Sequence, residues 1–214
     1  MDTQLNVIEQ TNILHIKSVF TKKECDIITK EILEYKEKNG TSLDRKMSYE
    51  VNEGCWMGQP QLHNGFSQET ESLLIEKFRI ACNMFYQSMP KPFNSNKRIY
   101  ENKNRKSWEV WAWANVNEPG SENREHVHTG YFMSGVAYFR SEGTGMIEFI
   151  PQNYLYKTTH VDWPYHSNCH YEPVDGDILM FPSYLLHKVE RNNSNKQRIS
   201  MAFNATLPSD ERLL

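Results

Sequence analysis

Apolar residues recur at two different periods along this chain, and the change of period divides it. In 21–39, Ile27, Ile28, Ile32 and Leu33 fall at helical spacing, which predicts an amphipathic helix. Thr21 with Glu24 three residues on reads as a capping box, and Asn39-Gly40 as the helix end. The stretch before it, 13–20, mixes apolar and polar residues at short spacing and predicts a strand. Residues 40–66 hold Gly, Pro and Asn and read as loops with one strand, its apolar point at Trp56-Met57-Gly58. A second helix is predicted over 67–88. It places Leu73, Leu74, Phe78, Ala81, Met84 and Phe85 on one face, and Pro90 and Pro92 stop it. That stripe is read as core-facing, not as a cofactor surface.

From Trp108 the period becomes two. Trp111, Trp113, Asn115 and Asn117 share one face; Val110, Ala112, Ala114 and Val116 share the other. Glu118-Pro119-Gly120 reads as a turn. Further strands are expected at 123–128, 132–140, 145–150, 170–174, 177–182, 186–190 and 197–205, punctuated by Gly143, Gly145, Gly176, Pro182 and Asn192-Asn193. Short strands this dense predict a mainly β fold with N-terminal helices, a two-sheet jelly roll or barrel. One domain is expected over 1–214, with 1–107 as helical support and 108–206 as the β core.

Composition narrows the function. A net charge of −3 gives no general attraction to nucleic acid, and the basic run 97–106 is broken by Asn, Tyr and Glu and reads as a solvated loop. No apolar run approaches the roughly 20 residues of a membrane span. The first residues lack a basic segment followed by an apolar one. Cys25, Cys55, Cys82 and Cys169 have no zinc-type or disulfide-framework spacing, so reduced thiols in a cytoplasmic protein are expected.

The candidate chemistry lies between Glu125 and Asn204. His126 and His128 stand two apart, so on one strand both imidazoles face the same way. A third histidine, His187, follows Pro182-Ser183-Tyr184-Leu185-Leu186. Three imidazoles can converge on iron, zinc, copper or nickel. A bare His-x-His is common by chance; the downstream stretch gives it weight. Arg198 and Ser200 alternate with Ile199 and Met201 and point to one side of the last strand. An arginine aimed into an apolar core requires an anion, because an unpaired buried charge is costly. A dicarboxylate beside the metal would meet that need through a bidentate pair.

These residues resemble the 2-oxoglutarate- and iron(II)-dependent oxygenases, nearest to a bacterial and phage branch of that superfamily. The resemblance rests on His126-Val127-His128, Ser134-Gly135-Val136-Ala137-Tyr138, Gly176-Asp177 through Phe181-Pro182-Ser183, His187, and Arg198 through Asn204. It covers nearly half of the chain. It implies a double-stranded β-helix with iron(II) at its open end. His126 would be the first ligand and His187 the distal one, and Arg198 would hold the far carboxylate of 2-oxoglutarate, helped by Ser200 or Tyr138. Asn115 is a further cosubstrate candidate. The expected reaction is hydroxylation of an unactivated C–H bond in a small molecule or amino-acid side chain, with O2 as co-reactant and a homodimer left open.

The pattern departs from the superfamily at one point. His128 stands where an Asp or Glu usually completes the metal site. It can be the third ligand, giving a three-histidine site. Alternatively, His128-Thr129-Gly130 resembles the His-x-Gly of iron halogenases. His160-Val161-Asp162 is a third reading, although too few strands separate it from His187. His166, Cys169 and His170 would make a separate zinc site, but 157–170 reads better as a substrate-covering loop, with Trp163, Pro164 and Tyr165 packing over a ligand. Trp56, Tyr131 and Phe132 would suit an apolar wall. A sugar-binding jelly roll without chemistry, or a cupin-like metal protein without 2-oxoglutarate, are the rivals; neither calls for an inward arginine.

Overall fold

The computed structural model describes residues 11–39, 52–58, 65–89, 108–150 and 169–206. Nine strands and two helices appear in the order β1 (Leu14–Ile16), α1 (Lys22–Asn39), β2 (Asn52–Met57), α2 (Gln68–Ser88), β3 (Glu109–His126), β4 (Met133–Arg140), β5 (Ile147–Ile150), β6 (Cys169–Tyr171), β7 (Ile178–Pro182), β8 (Leu186–Val189) and β9 (Arg198–Thr206). Every strand pairing is antiparallel. The strands run β1-β7-β4-β9-β3-β8-β5-β6, with β2 on β3, in one curled sheet. This is the double-stranded β-helix in mainly antiparallel form, with two helices outside it.

Both helices begin as expected. Thr21 N donates to Glu24 Oε2 at 2.6 Å while Glu24 N donates to Thr21 Oγ1 at 3.3 Å, the reciprocal capping box. Ser67 caps α2 by accepting from Thr70 N. Ile28 and Ile32 of α1, and Leu74, Phe78, Ala81 and Phe85 of α2, are buried against the outer face of the sheet. Ile27 and Met84 are not; both are exposed, since each helix turns only a narrow stripe inward. The outer face of the sheet answers with Ala112, Ala114 and Val116 of β3, Ile199, Met201 and Phe203 of β9, and Ala137 of β4. Gly135 belongs to this face: a Cβ there would meet Phe203 Cζ at 2.4 Å and Met180 Sδ at 2.6 Å. Phe203 cannot retreat, because its ring stacks on Phe78 at 4.2 Å.

Three expectations are corrected. The strand expected over 13–20 stops at Ile16, after which Ser18 adopts φ 53° and Phe20 N bonds to Gly176 O at 3.0 Å. The strand expected at 170–174 is Cys169–Tyr171. The turn expected at 118–120 is a bend inside one continuous strand. Gly120 takes φ 86°, and its N–H is held by Asn192 O at 2.7 Å, so β3 carries on to His126. The first half of β3 pairs with β9, from Glu109↔Thr206 to Asn117↔Arg198. Its last part pairs with β8, Asn123↔Val189 and His126↔His187. One long strand is therefore shared by both walls of the jelly roll, where two separate strands were expected.

Candidate metal centre and anion site

Alternation decides what faces the interior. Ala112, Ala114 and Val116 go to the helices, so Trp111, Trp113, Asn115 and Asn117 take the opposite, concave face. Tyr138, Leu179, Phe181, Phe149, Ile147 and Leu185 form the second buried cluster, which lines this interior.

His126 and His187 are directly opposed across β3 and β8, with ring centroids 4.3 Å apart. β3 ends at His126, so His128 lies just beyond the strand. Its N–H bonds to Ser183 O at 2.8 Å, which returns the ring to the same side, 5.1 Å from both other imidazoles. One ligand atom from each of the three lies within 4.8 Å of the others. His126 Nδ1 lies 2.7 Å from Arg124 O and His187 Nδ1 2.8 Å from Leu185 O. A carbonyl only accepts, so each Nδ1 carries the proton and each Nε2 keeps its lone pair for a cation. Burial lowers all three basicities: His187 is pushed down to about 3 and His128 to about 4, in both cases with help from the His126 charge, and His126 also falls. Neutral imidazoles packed this closely, two of them in the tautomer that presents Nε2, fit a transition-metal cation. Phe181 and Phe149 wall His187 at 4.8 and 6.0 Å, and Trp113 stands 5.8 Å from His128.

The candidate anion-binding residues occupy the same face. Tyr138, Ser200 and Asn115 are register partners across β4, β9 and β3, and one step along, Arg198, Asn117 and Cys55 are partners across β9, β3 and β2. Arg198 is 2% exposed. Its Nη2 donates to Asn123 Oδ1 at 3.4 Å and its Nη1 to Gly145 O at 3.5 Å, both long contacts to neutral oxygens. No carboxylate pairs with it among the described residues. Burial pulls its pKa down, against Tyr138 and Cys55, yet a guanidinium remains charged. Burial drives the Tyr138 phenol up, so it is a protonated donor beside the cation. A carboxylate with an apolar stem suits this cradle.

All seven residues singled out in the sequence thus face one interior: three imidazoles at one end, Arg198, Ser200, Tyr138 and Asn115 along the strands leading to it. Sequence reasoning gave no role to Asn123, Asn117, Phe149 or Phe181. Asn117 at least shares the face of Asn115 by alternation; Asn123 reaches Arg198 only because β3 bends. Trp56 is buried in the helix-side core, not on an interior wall, whereas Tyr131 packs on Trp111 at 5.5 Å and is part exposed, as is Phe132. His160, Asp162, Trp163, Pro164, Tyr165 and His166, and the basic run 97–106, lie outside the described residues. Cys169 and His170 are exposed on β6. His170 clusters with Glu148 and Glu190 on the far side of the sheet, where Lys188 already sits 2.9 Å from Glu148. Among the described residues no helix is long and apolar enough to cross a membrane.

Residues 111–204 match the family described as "Putative 2OG-Fe(II) oxygenase". No curated protein matches the chain. Among solved structures, the chain is similar to a Pseudomonas putida prolyl-4-hydroxylase, at 12% identity and TM-score 0.60, covering 92% of each chain. It is similar to SnoK, an alpha ketoglutarate dependent carbocyclase from nogalamycin biosynthesis, at 12% identity and TM-score 0.64, covering 95% of this chain and 86% of that one. HygX from Streptomyces hygroscopicus, with nickel and 2-oxoglutarate bound, matches at 12% identity and TM-score 0.56 over 93% and 84%. At these identities the structural likeness speaks for the fold.

Proposed function

We propose, on the premise that residues 111–204 belong to the 2OG-Fe(II) oxygenase family, that this protein hydroxylates an unactivated C–H bond of a small molecule or an amino-acid side chain. Fe(II) and 2-oxoglutarate are the cofactors of that family. With O2 they supply an oxidant strong enough for such a bond, 2-oxoglutarate leaving as succinate and carbon dioxide. His126, His128 and His187 would hold the metal through Nε2. Arg198 would pair with the far carboxylate, with the Tyr138 and Ser200 hydroxyls as further donors and Asn115 beside them. The aromatic wall of Phe149, Phe181 and Trp113 excludes water from the reacting end.

One observation carries this reading: a three-imidazole cluster and a buried guanidinium with no carboxylate partner among the described residues share one concave face. A cupin-like metal protein without the cosubstrate has no need of the second. The halogenase alternative would leave His126 off the metal, whereas its ring lies 4.3 Å from that of His187. The test is anaerobic titration with iron(II) and 2-oxoglutarate, watching for a weak visible charge-transfer band, followed by a substrate screen for stimulated succinate release with products read by mass. A wild-type protein that forms the band no better than Arg198→Ala would refute the cosubstrate assignment.

A further inference from the structure

We infer that Asn123 is a positioning residue for Arg198: a neutral acceptor that aims the guanidinium while leaving its charge for the cosubstrate. The inference rests on the reading of Arg198 given above.

Asn123 sits on the last part of β3, beyond the bend, three residues before His126. Its Oδ1 accepts two hydrogen bonds, from Asn117 Nδ2 at 2.9 Å and from Arg198 Nη2 at 3.4 Å. Asn117, in turn, is 1% exposed and directly opposes Arg198 on β9. Its Oδ1 accepts from Cys55 Sγ at 3.4 Å, and its backbone O from Asn192 Nδ2 at 3.3 Å. Asn117 is thus held on both sides, and through Nδ2 it fixes which oxygen Asn123 presents. The chain Cys55–Asn117–Asn123–Arg198 consists of a thiol, two amides and one cation. Burial keeps the thiol protonated, its pKa pushed up to about 12.

Every partner of that cation among the described residues is therefore uncharged. A carboxylate at position 123 would accept the same two hydrogen bonds with the same shape. It would also neutralise Arg198 and compete with the incoming ligand. Position 123 must accept without charge if the site is to attract an anion, and asparagine is the isosteric side chain that does so.

Asn123→Asp and Asn123→Ala separate this role from mere support. The readouts are calorimetric affinity for 2-oxoglutarate on the manganese-loaded protein, manganese affinity, and thermal melting. The Asp variant keeps the hydrogen bonds, so it should melt no lower than wild type. It should bind 2-oxoglutarate about 30-fold or more weakly, the scale of losing one partner from a buried charge pair. The Ala variant loses both bonds to Oδ1 but adds no opposing charge, and should weaken binding by only about threefold to tenfold. Manganese affinity should stay within about threefold in both, since neither touches a ligand. Equal losses in the two variants, wild-type affinity in Asn123→Asp, or an Asp variant that fails to fold would each overturn the inference. Arg198→Ala run in parallel tests the underlying reading: unchanged 2-oxoglutarate affinity there condemns the anion site itself, whatever Asn123 does.

Discussion

Gly135→Ala should destabilise the fold without touching the site. The added methyl would stand 2.4 Å from Phe203 Cζ and 2.6 Å from Met180 Sδ, both far inside contact distance. Met180 has a flexible side chain but is fully buried; Phe203 is pinned by Phe78, stacked at 4.2 Å. Overpacking of a tight core costs about 1–3 kcal/mol, and two pinned neighbours argue for the upper half, about 2–3 kcal/mol. Alanine recovers about 0.4–1 kcal/mol by restricting the unfolded chain. The net loss is about 1–2.5 kcal/mol, a fall in melting temperature of about 2–10 °C for a chain of this size. The methyl lies on the helix-facing side of β4, so metal affinity should not change. A second substitution makes the reasoning specific. Phe203→Leu removes the Cζ that clashes, so the double variant should lose less stability than the two singles together. Simple additivity, or a Gly135→Ala protein that melts with wild type, would refute the steric account.

His187→Ala should abolish iron(II) binding while the protein still folds, because β8 is held to β3 and β5 by backbone pairing that the substitution leaves in place; retention of metal at full affinity in a titration would contradict its role. His126→Ala should also lose most iron affinity, and full affinity there would instead favour the halogenase arrangement around His128 and Gly130. His128→Asp should keep part of the metal affinity, since carboxylate is an acceptable iron ligand, but lose turnover, because the shorter side chain shifts the ion; full metal affinity in His128→Ala would be evidence against a ligand at this position. Arg198→Ala should weaken 2-oxoglutarate binding by about 2–5 kcal/mol, read by calorimetry.

Much of this architecture is legible in the sequence. The capping box at Thr21, most of each core stripe and the alternation of β3 follow from local rules, and tertiary packing agrees with them. The shared face of the candidate site residues is legible for the same reason: His126, Arg198 and Ser200 sit on strands whose period fixes their side. Glu118-Pro119-Gly120 misled because its residues favour a turn in isolation. What keeps the strand going is remote: Asn192 accepts from Gly120 N and donates its own N–H to Ser121 O at 2.8 Å. No pattern within 118–120 encodes a partner some 70 residues away. Asn123 escaped for a related reason, since its contact with Arg198 exists only across that bend. Ile27 and Met84 were misplaced because helical spacing gives the width of a stripe only approximately.

The sharing of β3 between both walls has a consequence for how such a chain can change in length. Residues 109–117 are locked in a ladder with β9, and His126 is locked opposite His187. A residue inserted within either ladder would turn every side chain beyond it to the other face, carrying Trp113 and Asn115, or the histidines, out of the interior. The bend around Gly120 lies between the two registers and belongs to neither. It is a segment of β3 where an insertion or deletion can be absorbed with both ends still facing inward. Lengthening there alters the spacing between anion site and metal cluster while leaving the identity of both intact. In this architecture the reach from the buried guanidinium to the imidazole cluster is set by a joint, and the joint can be retuned one residue at a time.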